Sequence, residues 1–169
     1  MKRFKIVQSD ADIISHSGLA LIGQAVNRYT NLTPQIDTLV PLRHGITHSD
    51  VIKDYLAMLC IGKNDFEAIN TIENEHYFMD AMGLDDIPSE ATLRQRMDNH
   101  ALAFLPIIEK ASRDFLKNIQ PVFEPLATGH IPLDADVTPM DNSGSNKEGV
   151  SRTYKGCDGY APMSAYLGQ

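Results

Sequence analysis

Two carboxylates stand two residues apart in Leu133-Asp134-Ala135-Asp136-Val137-Thr138. The stretch from Gly129 to Thr138 reads as a strand, and side chains two apart in a strand project from the same face. Asp134 and Asp136 are therefore neighbours of like charge, an arrangement that a cation or a proton relieves. Carboxylates gathered at a strand end are a common way to hold Mg²⁺, which takes one or two of them and leaves its other positions to water and phosphate. The same residues also fit a solvated strand end beside a turn, where Asp is frequent.

A second group lies in Ser89-Glu90-Ala91-Thr92-Leu93-Arg94-Gln95-Arg96-Met97. Ser89 is the N-cap of a helix in which Leu93 and Met97 share one face, while Thr92, Arg94, Gln95 and Arg96 fan over the others. Arg and Gln are the side chains that bond guanine and adenine edges in pairs of hydrogen bonds, and Ser89 is placed to meet a phosphate. This suits the recognition helix of a helix-turn-helix, with an earlier helix within 65–82 crossing the backbone. It equally suits an amphipathic helix with a solvated charged face. Lys147, Arg152 and Lys155 follow the Asp-x-Asp strand and could bond DNA phosphates, or simply keep a loop soluble. His44, His48 and His76 lack carboxylate or cysteine companions at ligand spacing and read as structural or surface residues. Cys60 and Cys157 have no metal-type spacing, which argues against a zinc site or a disulfide framework.

The elements that must position these residues divide into two kinds. A short β-like start at 4–7 precedes a helix from Ser17 to Tyr29, with Leu19, Ile22, Val26 and Tyr29 along one face. Thr47-His48-Ser49-Asp50 announces a helix running to Gly62. A third helix begins at Asn64 with Phe66, Ile69 and Ile72, and a short one ends at Gly83. The helix from Ser89 is followed by another over Ala101–Ile119, whose apolar face is Leu105, Ile108, Phe115 and Ile119, ending before Pro121. Beyond it the pattern changes to strands at 129–138, Thr153-Tyr154 and Tyr160–Leu167, around a polar loop at 141–149. The expected fold class is α+β: a helical, DNA-binding region over 1–122 and the start of a β-containing domain over 123–169. Strands this few leave a sheet uncovered, so this second domain is expected to be truncated.

The 169 residues are 43% hydrophobic, in the globular range, with a net charge of −7. Residues 1–88 hold 7 Lys+Arg against 12 Asp+Glu, and 89–169 hold 8 against 10. This excludes a simple basic DNA-coating protein but permits a local basic face. There is no membrane-spanning run, and charge interrupts the opening before a signal-peptide core could form, so a cytoplasmic location is expected.

Residues 133–168 resemble the first catalytic segment of the DDE transposases of bacterial insertion sequences, of the kind grouped as insertion-sequence family thirteen-eighty. The resemblance lies in the order of Leu-Asp-x-Asp-x-Thr, the loop Asp141-Asn142-Ser143-Gly144, Glu148 to Gly156, and Gly159-Tyr160-Ala161-Pro162. The helical half is similar through Asn64 to Asn70 and Ser89 to Met97. The resemblance implies a ribonuclease-H-like catalytic domain in which two Asp and one Glu hold two Mg²⁺ or Mn²⁺ ions for phosphodiester cleavage and strand transfer. In that pattern the first catalytic Asp lies two residues before Thr, at Asp136, with Asp134 as second choice or helper. The second Asp and the Glu have no match here, so this chain alone is expected to be inactive and to hold no metal tightly. The implied partner is double-stranded DNA at transposon ends, with a homo-oligomer left open. Two other readings stand beside it. One is a non-catalytic helical DNA-binding or interaction module. The other is a haloacid-dehalogenase-like phosphatase, with Asp134 as nucleophile and Asp136 as acid/base.

Overall fold

The computed structural model describes residues 8, 10, 16–72 and 75–168, which leaves the β-like start at 4–7 outside the described residues. The chain separates into a helical unit, Met1–Gln120, and a β unit, Pro121–Gln169. Its class is α+β.

Local signals start and stop most of the helices. Helix α1 (Leu19–Tyr29) buries Leu19 and Val26 on one face. Helix α3 (His48–Cys60) begins at Thr47, whose hydroxyl accepts the Asp50 N–H at 3.1 Å. Gly83 ends α4 (His76–Met82) at φ 62°, a left-handed turn suited to glycine. Ser89 opens α5, its Oγ accepting the Thr92 N–H at 3.3 Å.

Three expectations are corrected, and one helix is added to them. Helix α2 (Leu32–Leu39) occupies a stretch for which no element is expected, with Pro34 in its first turn. A proline in the first turn loses no intrahelical bond, and Leu32 and Ile36 gain burial. The segment Phe66–Thr71 is a 3-10 helix, and the spacing of three between Phe66, Ile69 and Ile72 suits its three-residue turn. The two helices expected after Ser89 are one, α5 (Glu90–Ile119), because neither glycine nor proline interrupts residues 90–105. Continuing the Leu93 face through that unbroken helix buries Phe104, Ile107 and Ala111 and leaves Leu105, Ile108 and Ile119 exposed. Phe115 is half-buried, edge-on to Tyr29 with ring centroids 6.1 Å apart. Pro106 lies within α5 and leaves the Leu102 carbonyl without its intrahelical donor.

Two apolar clusters hold the helical unit together. One gathers Leu19, Val51, Met58, Phe78, Met82 and Leu93, and the other Val26, Ile36, Ile52, Phe104 and Ile107. Helix α1 packs on α4 at Gly23, where a Cβ would collide with the Ala81 carbonyl. Gly23→Ala is therefore expected to cost about 1–3 kcal/mol, the usual range for overpacking, despite the higher helix propensity of alanine. A thermal melt checks this: a variant as stable as the parent would show that the crossing yields freely.

In the β unit, β1 (Leu133–Val137) pairs antiparallel with β5 (Met163–Leu167), with Asp134 opposite Tyr166 and Asp136 opposite Ser164. A second sheet has the order β2-β4-β3, formed by Met140–Asp141, Asp158–Tyr160 and Ser151–Arg152. The strand expected at Thr153-Tyr154 is instead a turn. Both the Thr153 N–H and its hydroxyl bond the Cys157 carbonyl at 2.9 Å, and Gly156 at φ 81° closes it. The strand expected over Tyr160–Leu167 divides at Ala161-Pro162, where proline offers no N–H to continue the ladder. Among the described residues of this unit only Thr153 and Gly159 are buried. No helix among the described residues is long and apolar enough to cross a membrane.

Candidate functional site

Strand alternation sets Asp134 and Asp136 on one face of β1, and both are exposed. Neither takes part in an ion pair among the described residues. Asp136 is next to the last residue of the strand, beyond which the Thr138 N–H reaches the Pro162 carbonyl at 3.1 Å. The acidic residues that follow are differently placed. Asp141 Oδ1 accepts the Ser143 N–H at 2.9 Å and its hydroxyl at 2.6 Å, and these bonds hold its carboxyl below the usual carboxylate range. Asp158 pairs with Arg152 at 3.2 Å. The β1 carboxylates thus offer free, hard oxygen donors of the kind a divalent cation takes one or two of. Among the described residues no cluster of three or more His, Cys, Asp or Glu could hold a metal, so these two stand as a pair.

Lys147 and Lys155 are exposed in the same unit. Arg152 is also exposed, and its solvated pairing with Asp158 is worth so little that an incoming anion could displace it.

At the start of α5, Ser89 and Thr92 occupy each other, their hydroxyl oxygens 3.0 Å apart. Arg94 bonds Glu90 at 3.1 Å and lies over the Phe66 ring at 5.1 Å, with half of its side chain still in solvent. Gln95 is exposed. Arg96 is half-buried, its Nη1 3.3 Å from both ring nitrogens of His48. Of the three base-reading candidates, only Arg94 and Gln95 face outward. Within 65–82, the 3-10 helix packs on α5, whereas α4 packs on α1 and α3.

Two groups of buried polar residues lie outside the candidates drawn from the sequence, although His48 itself reads there as structural or surface. His48 is fully enclosed, edge-on to His100 and Phe104 at centroid distances of 4.5 and 5.4 Å. Burial, then Arg96 and His100, hold its pKa below the usual histidine value, against an opposing pull from Asp37. Asp37, on α2, accepts the Ser49 N–H at 3.2 Å and its hydroxyl at 2.7 Å, adding a second acceptor at the start of α3. The spacing of four that joins Arg96, His100 and Phe104 on α5 is the one signal that could have found this group.

The second group lies on α3. Lys53 is buried, with its Nζ 3.0 Å from Asp50 and donating to the Gly83 carbonyl at 2.6 Å. Asp54 is fully buried and neither of its oxygens has a partner among the described residues. Burial, reinforced by the charge of Asp50, pushes its pKa up to about 7. Three charged residues among the apolar positions of one helix were the available signal.

No protein-family model, curated protein or solved structure matches the chain.

Proposed function

We propose that this chain is part of a DNA transposase: a helical unit that binds insertion-sequence ends, joined to the first strands of a ribonuclease-H-like catalytic domain. The observation that carries the reading is the pair of exposed carboxylates on one face of β1 that form no ion pair among the described residues, where neighbouring Asp141 and Asp158 are satisfied. The order of residues from Leu133 to Gly168 supports it. Asp136 and Asp134 would hold Mg²⁺ or Mn²⁺, which when bound supplies Lewis-acid activation at a phosphodiester. Lys147, Arg152 and Lys155 bind DNA phosphates, and Arg94 and Gln95 meet base edges or backbone from α5. Cleavage needs further carboxylates that the described residues do not supply. The reading includes work on cytoplasmic DNA.

A second reading, a helical DNA-binding module without catalysis, rests on Arg94 and Gln95, which face solvent at the start of α5 and need no metal. The phosphatase reading is not proposed, because β1 pairs antiparallel and runs into another short strand, whereas that chemistry uses successive parallel strands.

Binding to an insertion-sequence-end duplex tests the DNA reading. Affinity is expected to fall linearly on a logarithmic salt scale, with a slope near −0.9 for each phosphate contacted. Arg94→Ala should weaken binding by about 1–3 kcal/mol if it meets a base, or lower the salt slope by about one if it meets a phosphate. Affinity that is the same at low and high salt, and the same in Arg94→Ala, would contradict the proposal.

A further inference from the structure

Helix α5 carries a second apolar face, turned away from the one that Phe104, Ile107 and Ala111 bury. Leu102, Leu105, Leu116 and Ile119 on this face are 89%, 54%, 60% and 43% exposed. At about 100° per residue they fall, with Glu109, Ser112 and Arg113, within an arc of about 120°. Between them, residues 102 and 119 span about 26 Å of helix at 1.5 Å per residue. Two exposed apolar pairs on one face, one at each end of a polar centre, are more than the scattered single leucines of an ordinary surface.

The order along the face identifies what covers it. Leu102, Leu105, Glu109, Ser112, Leu116 and Ile119 recur at alternating spacings of three and four, a series that is its own reverse in spacing, apolar at both ends and polar at its centre, with Arg113 beside Ser112. We propose that α5 pairs antiparallel with α5 of a second copy of this chain, about a two-fold axis between positions 110 and 111. That register sets Leu102 against Ile119, Leu105 against Leu116 and Glu109 against Ser112, with Arg113 one residue further on and within side-chain reach of Glu109, and the two-fold makes each contact twice. A parallel pair in register would bring Glu109 to Glu109 and Arg113 to Arg113, so charge selects the antiparallel arrangement. Within one chain Glu109 and Arg113 are 3.8 Å apart and largely solvated, which leaves both able to reach across. The inference is independent of the DNA reading, since it rests on the face alone.

Sedimentation of the full chain from about 1 to 200 μM tests it, and a shift from monomer to dimer across that range is the expected result. Leu105→Glu should weaken association more than about tenfold without lowering the melting temperature, because the residue is exposed in the single chain. Glu109→Arg and Arg113→Glu should each weaken it by about tenfold, and mixing the two variants in equal amounts should restore it, since every cross-chain contact is then Arg with Glu. A chain that stays monomeric, with the face bare or covered by its own β unit, overturns the proposal. So does a dimer indifferent to Leu105→Glu, or a mixture that associates no better than either variant alone.

Discussion

On the proposed reading, Asp136→Asn in a full-length protein carrying this chain is expected to reduce metal-dependent strand cleavage by about a thousand-fold while leaving duplex binding and stability intact. Asparagine keeps the shape of the side chain but removes the charge that attracts a divalent ion. Losing metal-borne stabilisation of several kcal/mol, at about 1.4 kcal/mol per tenfold, gives that magnitude. The fold should not suffer, because Asp136 is exposed and forms no ion pair among the described residues. A change at such a surface position is usually within about 0.5 kcal/mol. Asp134→Asn should be milder, since Asp134 lies two residues further from the strand end. Nicking of a labelled transposon-end duplex over a Mg²⁺ and Mn²⁺ titration, beside binding and melting curves, makes the measurement. If Asp136→Asn cleaves normally and Asp134→Asn does not, Asp134 is the first catalytic carboxylate. If neither changes cleavage, the metal reading of β1 is wrong.

Asp54→Asn is expected to stabilise the helical unit at pH 8 and to remove part of its pH dependence. In the folded protein the Asp54 pKa is about 7, against 3.8 for an ordinary aspartate, because burial and the neighbouring Asp50 charge disfavour ionisation. Below about pH 4 both folded and unfolded chains hold this proton, and Asp54 carries no penalty. Between about pH 4 and 7 the unfolded chain has released the proton while the folded chain retains it, so stability falls as pH rises. Above about pH 7 the penalty is complete, at roughly 4 kcal/mol for a gap of about three pH units at 1.4 kcal/mol each. The amide of asparagine remains partnerless in the same place and gives back about 1–3 kcal/mol of that gain. A net rise in melting temperature of about 5 °C at pH 8 follows, shrinking as the pH is lowered towards 4. Paired melts of parent and variant at pH 5 and pH 8 decide the matter. A difference that is the same at both pH values would show that Asp54 is solvated or partnered in solution.

The sequence by itself determined features whose causes lie within a few residues. Thr47 and Ser89 bond backbone N–H groups three residues on, Gly83 supplies a left-handed turn, and Pro121 follows the end of α5. Strand alternation likewise places Asp134 and Asp136 on one face. Only the tertiary structure decided which faces meet. The contacts of Leu32 and Ile36 make a helix of a proline-containing stretch, and the continuity of α5 moves its buried stripe from Leu105 and Ile108 to Phe104 and Ile107. Packing also turns Arg96 inward to His48, and it seals Asp54 away from water. Caps and turns are made by bonds between near neighbours, so residue types at fixed spacing are sufficient to specify them. Burial and the pKa values it shifts depend on elements brought together from distant parts of the chain, which no local spacing records.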